Sequence, residues 1–497
     1  MKNRKSVLAL VTEVTEGTPV SPTSASQYTA LQEGFDFNPA FTELESAELQ
    51  DSIGQTKTIL GVEQPTMSFS HYLKHSGVEG QAPDYGILLE SLLGEKTVNA
   101  TQYNTVAAST TVLVKVDAGE GANFRRGQAL LVKDGTNGYS IRNILSIAGD
   151  DLTLGHALSV APAAGVDLGK AVHYEAASEG HPSVSIWGYR ANGGAVELIS
   201  GAKVTEMQID ITSGELINAN FSLAGTAYYF NPIEITSSTR YIDFNEGGAS
   251  LAGVLNTGFY KDPHELADAV AAALNLTAVA AITCTYSDST GKYTIVSAGA
   301  TFELEWNTGA NVANSAAAKL GFSAAADDTG ALTYTSDTAV VLSAPQTPSY
   351  DQTSPIVAKA NEILLGLQSE ITCFGARSVG ISVSNEQERQ PDLCADSGFE
   401  GTENTKRTVT FNVVATLAQY EAKKYSQFRN GTTVAFAYNF GDKLGGNWVA
   451  GKCVNMFAPY ATITSFKLGD ANGITTLEMS VRAYVNSGAS EFHVNQL

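Results

Sequence analysis

At 497 residues the chain is long enough for about three domains of roughly 150 residues each. It carries 51 acidic against 30 basic residues, a formal net charge of −21, and no Lys/Arg cluster able to neutralise a run of phosphates, which argues against a nucleic-acid-binding surface. The 43% hydrophobic fraction is that of a globular protein, and no apolar run approaches the roughly 20 residues that span a bilayer.

The first residues, Met1–Val11, open like a signal peptide, but Glu13 and Glu16 cut the apolar stretch short and no small-residue cleavage site follows. The segment reads as an N-terminal arm or edge strand of a chain made in the cytoplasm. A long polar segment over about 38–64 precedes Thr66–Leu73, which alternates apolar and polar residues as a half-buried strand does. Within Asp84–Gly94, Tyr85, Leu88, Leu89 and Leu92 share one helical face, with Pro83 and Asp84 to start the helix and Gly94 to stop it. Residues 104–177 hold short apolar runs (Thr111–Val116, Gln128–Lys133, Asn143–Ile147, Leu152–Leu154 and Val172–Tyr174) joined by Gly-containing turns, which predicts a small inserted barrel or sandwich.

In 178–231 the segments Lys203–Ile209 and Asn220–Ala224 flank a Ser213-Gly214 turn and predict a hairpin. Residues 232–345 predict a second inserted domain, of α+β type. Its elements are a strand at Tyr241–Phe244, a helix over Asp262–Leu274 with Pro263 at the first helical position, and strands at 282–287, 292–297, 301–306 and 332–335. A Pro/Ser/Thr-rich stretch, 343–355, links back to the final domain, 346–497. There a polar segment at 385–406 precedes an alternating strand at Thr408–Val414, a helix over Leu417–Arg429, and a hairpin of Ala461–Leu468 and Glu478–Arg482 around Asn472-Gly473.

The two hairpins match residue by residue. Val204, Thr205, Met207 and Ile209 correspond to Ile463, Thr464, Phe466 and Leu468, while Phe221, Ser222 and Leu223 correspond to Met479, Ser480 and Val481. Upstream, Thr66–Phe69 followed by a helix corresponds to Thr408–Phe411 followed by a helix. Each half reads as strand, long acidic loop, strand, helix, strand and hairpin, the signature of an internal duplication. The fold class expected is mainly β, with two tandem β-sandwich or partial-barrel domains, each with a flanking helix, and two inserted small β-rich domains. The first tandem domain takes 1–103 and 178–231.

Nothing in the residues points to catalysis, a cofactor or a metal. The four cysteines, Cys284, Cys373, Cys394 and Cys453, are too far apart for a metal knuckle and too few for a disulfide framework. His71 and His75 would share a helical face, but they fall at the end of an alternating strand, where four residues span too far for one ion without a third ligand. His264-Glu265 begins a zincin motif that Asp268 breaks. Asp327-Asp328 and Glu303/Glu305 lack the ligand loop of a Ca²⁺ site and read as solvated acids. Trp187, Trp306 and Trp448 read as core or interface residues before they read as a sugar-stacking platform.

The opening Lys5–Pro19 (Lys-Ser-Val-Leu-Ala-Leu-Val-Thr-Glu-Val-Thr-Glu-Gly-Thr-Pro) resembles the N-terminal arm of siphophage major tail tube proteins. The strand at Phe35–Pro39, the acidic loop and the strand–helix–hairpin order look similar too. The block 232–345, with Leu320-Gly-Phe322, Asp327-Asp-Thr-Gly330 and Tyr334–Asp337, resembles a domain that recurs in phage structural proteins. The resemblance implies tail-tube-like domains whose inner strands join those of neighbouring copies into a barrel around a lumen. It also implies stacked rings in the virion tail, with a tape measure protein and tail-end proteins as partners and DNA passing without specific binding. Fused double domains in that family form trimeric rings with pseudo-sixfold symmetry; single domains form hexamers. An acidic lumen would repel phosphates, and the arm 1–30 and the acidic loops would order on stacking. The alternative reading is a carbohydrate-binding, adhesin-like β protein; a tail-associated hydrolase would need a carboxylate pair in a cleft.

Overall fold

The computed structural model describes residues 5–497 except 33, 47, 49–56, 134–137, 192, 300, 351, 368–371, 374, 395–397, 418–421, 487 and 489. The chain forms two compact units. The larger comprises Leu10–Val184, Gly201–Thr226 and Pro348–Leu497, the smaller Met1–Ala9, Ser185–Ser200 and Ala227–Thr347. Among the described residues no helix is long and apolar enough to cross a membrane.

In chain order the larger unit uses β1 (Phe35–Asn38), β2 (Thr66–Tyr72), α1 (Gly86–Leu93), β3 (Gly94–Asn99), β4 (Ala171–Ala176), β5 (Ala195–Thr212, from Gly201 on) and β6 (Asn218–Ala224). It continues with β7 (Glu362–Gly366), β8 (Ala376–Pro391), β9 (Phe399–Thr416), α2 (Ala422–Arg429), β10 (Val434–Leu444), β11 (Asn447–Ala471), β12 (Ile474–Ala483) and β13 (His493–Gln496). Antiparallel pairing runs unbroken through β1–β2–β6–β5–β8–β9–β12–β11. A second series runs β3–β4–β13–β11–β10–β7. The 25-residue β11 serves both: its first part pairs with β10 and β13, its last part with β12.

Alternation explains which face of the first series is buried. Met67 and Phe69 on β2, Phe221 on β6, Met207 and Ile209 on β5, and Phe411 and Val413 on β9 all point into the core. There Phe411 meets Phe436 of β10 with ring centroids 4.3 Å apart, and Phe492 at 5.9 Å. Burying one such ring is worth about 1.5–3 kcal/mol. The helix α1 sinks Leu88, Leu89, Leu92 and Leu93 into the same unit, and ends where Gly94 takes φ +98°, a conformation that L side chains rarely adopt.

Three features differ from the expected arrangement. The segment 385–406 is not a loop but the outer half of a long β8–β9 hairpin, paired as far as Pro391 and Phe399. The segment 38–64 likewise holds a short hairpin, Phe41–Leu44 with Ile59–Glu63, and 49–56 within it lie outside the described residues. The arm is built into the fold: Glu13 accepts hydrogen bonds from Gly17 N (2.9 Å), Ser183 Oγ (2.8 Å) and Gly201 N (2.9 Å), while Glu16 holds Lys203 Nζ at 2.7 Å and Thr402 N at 2.9 Å.

Residues 103–168 form a six-stranded sheet with its own core of Val114, Leu130, Val132, Ile144, Leu152 and Leu154. The strand Ala171–Ala176, expected to close it, instead pairs with β3 and β13. With neighbours on both edges and both faces covered, Val172 and Tyr174 are fully buried, and nothing in their local pattern says which sheet they join. A polar network ties the six-stranded sheet's strand Tyr139–Ala148 to the rest of the unit. Asn143 Nδ2 donates to Asn455 Oδ1 (2.7 Å), Asn455 Nδ2 to Asn143 Oδ1 (3.0 Å) and Asn439 Oδ1 (2.6 Å), and Asn495 Nδ2 to Asn455 Oδ1 (2.9 Å).

In the smaller unit, the helix Pro263–Asn275 starts as its sequence predicts. The Asp262 carboxylate caps His264 N and Glu265 N, with Pro263 in the first turn. The helix packs Leu266, Val270 and Leu274 into a core with Phe244, Tyr293, Phe302 and Trp306.

Buried His156 in the larger unit makes a pH prediction. Burial, aided by the Arg142 charge, pushes its imidazole down to about 3. Between the free value near 6.5 and about 3, the unfolded chain binds a proton that the folded chain refuses. Stability conferred at neutral pH is therefore lost on acidification, by about 1.4 kcal/mol per pH unit over that window. Urea midpoints at pH 7 and pH 4.5 are expected to differ less in His156→Leu than in the unsubstituted chain; equal differences would remove His156 as a cause.

Candidate assembly interface

The same four-strand order occurs twice in the long series. In one set β1, β2, β6 and β5 pair in sequence; in the other β8, β9, β12 and β11 do. Both hairpins carry a β-bulge at the same place, between Val204 and Glu206 and between Ile463 and Ser465. The bulged threonine turns its hydroxyl onto the facing strand in both: Thr205 Oγ1 donates to Ser222 O (3.0 Å) and Thr464 Oγ1 to Ser480 O (3.2 Å). The register reproduces the hairpin match read from sequence. The upstream match is displaced by two residues: Phe69 faces Phe221, and Phe411 faces Val481, so Met67 and not Phe69 is the counterpart of Phe411. A shift of two preserves facing, which is why alternation alone does not detect it.

The two sets abut through β5 and β8, from Glu206↔Ser384 to Thr212↔Ser378. At the ends of the series, and among the described residues, β1 pairs with β2 alone and 462–471 of β11 pair with β12 alone. The difference shows in one pair of counterparts. Ile209, at the covered junction, is 0% exposed, whereas Leu468, at the outer edge, is 55% exposed. An apolar strand edge left in water is a template for pairing with another strand.

The outward face of the series is mostly hydroxyl and amide: Ser68, Ser70, Asn220, Gln208, Ser382, Thr410, Asn412 and Ser480. Cross-strand bonds knit it, with Ser70 Oγ donating to Asn220 Oδ1 (2.5 Å) and Ser480 Oγ to Asn412 Oδ1 (2.7 Å). Its charged residues are Asp36, Glu206, Asp210 and Glu478 against Lys467 and Arg482, an excess of two acids.

The residues weighed from sequence are separate and structurally occupied. His71 Nε2 lies 3.4 Å from Asp84 Oδ2 and His75 Nε2 lies 3.5 Å from Asp442 Oδ2, so the two histidines face different carboxylates. Asp327 caps a turn, accepting from Asn307 N (2.6 Å) and Thr308 N (3.1 Å), and Asp328 accepts from Trp306 Nε1 (3.0 Å). Trp187 and Trp306 are buried, and Trp448 lies beneath Lys443 Nζ at 4.0 Å. Cys284 and Cys453 are buried thiols that burial pushes up to about 12; Cys394 is exposed. The edge at Leu468 was not singled out from sequence, although its match to Ile209 was.

Comparison with known proteins gives one family. Residues 3–232 match the phage tail tube protein family, and no curated protein matches the chain. Among solved structures, a chain of the virion of a native gene transfer agent particle is 19% identical, covering 26% of this chain and 95% of that one, with a TM-score of 0.19. The SPP1 tail tube is 14% identical, covering 29% and 80%, with a TM-score of 0.22. The mavirus penton protein is 9% identical, covering 56% and 84%, with a TM-score of 0.17. All three scores are below those of a shared overall fold, so the assignment stands on the family match. Over residues 3–232, a little under half of its length, the chain is similar to the phage tail tube protein family.

Proposed function

We propose that the chain is a tail tube subunit with two fused tube domains, of which 346–497 is the second, and that three copies close one ring. The carrying observation is the β5–β8 junction, where one four-strand set already docks edge to edge on the next. Repeating that junction between chains joins 462–471 of β11 to β1 of the next subunit. Carrying the register across by the hairpin match and the β1–β8 correspondence sets Lys467 opposite Asn38, Leu468 opposite Phe37, and Gly469 opposite Asp36 of the next subunit.

Three chains supply twenty-four strands, and at about 4.8 Å per strand an untilted barrel of that size is about 37 Å across its backbone, wide enough for a DNA duplex. Its inner face is the hydroxyl- and amide-rich one. Few phosphate-neutralising cations mean little counterion release, so DNA slides without sticking. The subunit assembles and performs no chemistry, after synthesis in the host cytoplasm. The tape measure protein and tail-end proteins are its other partners.

Microscopy of assembled tubes is expected to show three chains per ring; six would overturn the reading. The register has its own test. Cysteines at Lys467 and Asn38 are expected to form disulfides between chains in tubes, because directly opposite Cβ atoms lie about 4.5–5.5 Å apart, whereas a Lys467→Cys/Asp36→Cys diagonal pair, at about 7–8 Å, is expected to stay reduced. Cross-linking of the diagonal pair alone would place the junction in another register.

A further inference from the structure

We infer that His173, Glu175 and His493 form a binding site for one divalent transition-metal ion of the Zn²⁺ type, which staples β13 to β4. The inference is independent of ring formation. His173 and Glu175 are two apart on β4 and so share a face, and in the antiparallel register His493 lies directly opposite Glu175 and Asn495 directly opposite His173. One ligand atom from each of His173, Glu175 and His493 lies within 4.8 Å of the other two.

The hydrogen bonding fixes what His173 presents. Its Nδ1 is 2.8 Å from Asn495 Oδ1, an amide oxygen assigned by the donation of Asn495 Nδ2 to Gly127 O and Asn455 Oδ1. An amide oxygen only accepts, so Nδ1 carries the proton and Nε2 offers its lone pair. That Nε2 has no hydrogen-bond partner, His173 is 2% exposed, and Glu175 Oε2 stands 3.7 Å away. Two electron-rich atoms facing each other in a buried site are unfavourable unless a cation lies between them. At 3.7 Å the gap is too long for a shared proton. It is close to the separation of two ligands on one ion with bonds of about 2.0–2.2 Å.

His493 supplies the third ligand. Its ring stacks on that of His173 with centroids 5.1 Å apart, and its Nε2 lies 3.3 Å from Ser490 Oγ, which leaves a hydroxyl or a water for the fourth position. Gly127 fits only as glycine against this ring: its φ is +78°, and a Cβ there would lie 2.2 Å from the His493 imidazole. Asn495 does for His173 what outer partners of metal-bound imidazoles do, fixing tautomer and orientation. Two imidazoles and one carboxylate suit Zn²⁺ or Co²⁺ better than the all-oxygen preference of Ca²⁺ or Mg²⁺.

The test is titration of the chelator-stripped full chain with Co²⁺, followed by Zn²⁺. One Co²⁺ per chain is expected to bind with visible absorption of a four-coordinate ion, to be displaced by one Zn²⁺, and to raise the melting temperature. His173→Gln and Glu175→Gln are each expected to weaken binding at least 100-fold, while His264→Ala, at the exposed His264–Asp288 pair, leaves it unchanged. Absence of saturable one-to-one binding by the unsubstituted chain overturns the site, whatever the variants do. So does unchanged affinity in folded His173→Gln or Glu175→Gln.

Discussion

Leu468→Asp is expected to leave the subunit folded and to abolish its polymerisation, whereas Ile209→Asp, the same position in the other set, is expected to unfold it. Leu468 is half exposed at the outer edge of β11, and exposed substitutions there shift stability by about 0.5 kcal/mol or less. Ile209 is fully buried where β5 meets β8, directly opposite Ile381, and an unpaired carboxylate at that place costs about 4 kcal/mol or more. If β11 docks on β1 of the next subunit as β5 docks on β8, Leu468 comes to lie opposite Phe37 and the same penalty appears, now in the association step. Urea denaturation separates the subunits' stabilities, and sedimentation or microscopy reads assembly. Normal tubes from Leu468→Asp would rule out this edge as the contact between chains, while equal destabilisation by the two substitutions would show that Leu468 is a core residue of the subunit itself.

How much of this was legible in the sequence follows from which forces are local. The strand at Thr66–Tyr72 and the hairpin of β11 and β12 were readable because one face is buried and the other wet, so alternation reports them. Asn472-Gly473 marked its turn because both residues take positive φ. The helix Pro263–Asn275 was marked by its cap. The outer β8–β9 hairpin was misread as a loop because neither of its faces is apolar, so it has no alternation to display. β4 is assigned to the wrong sheet for a different reason: it is buried on both faces, so its pattern does not show which sheet it joins. The β5–β8 junction joins residues 166 to 178 positions apart and leaves no local trace. Nor could the cluster of His173, Glu175 and His493 be read, since it depends on β13 pairing with β4 across more than 300 residues.

The buried asparagines were equally invisible, because Asn143, Asn439, Asn455 and Asn495 each read singly as a turn or loop residue, and their meaning lies only in the network. Asn455 is its hub. Its Oδ1 accepts from Asn143 and Asn495, and its Nδ2 donates to Asn143 and Asn439. Asn143 Nδ2 and Asn495 Nδ2 retain Gly127 O when Asn455 is removed, but Asn143 Oδ1 and Asn439 Oδ1 lose their donor. Two orphaned buried acceptors, each worth about 1–3 kcal/mol, together with the lost bonds put Asn455→Ala at about 3–6 kcal/mol of destabilisation. Asn455→Leu is expected to fare no better, because the penalty sits on the partners and not in the vacated volume. The 103–168 sheet sharpens the expectation: its own core of Val114, Leu130, Ile144 and Leu154 does not include Asn143. In Asn455→Leu, hydrogen exchange is therefore expected to rise first along the contact of 139–148 with β10 and β11, with protection inside the 103–168 sheet retained. Wild-type stability in Asn455→Leu would mean that these amides fill space, and that apolar packing holds the 103–168 sheet to the rest of the unit.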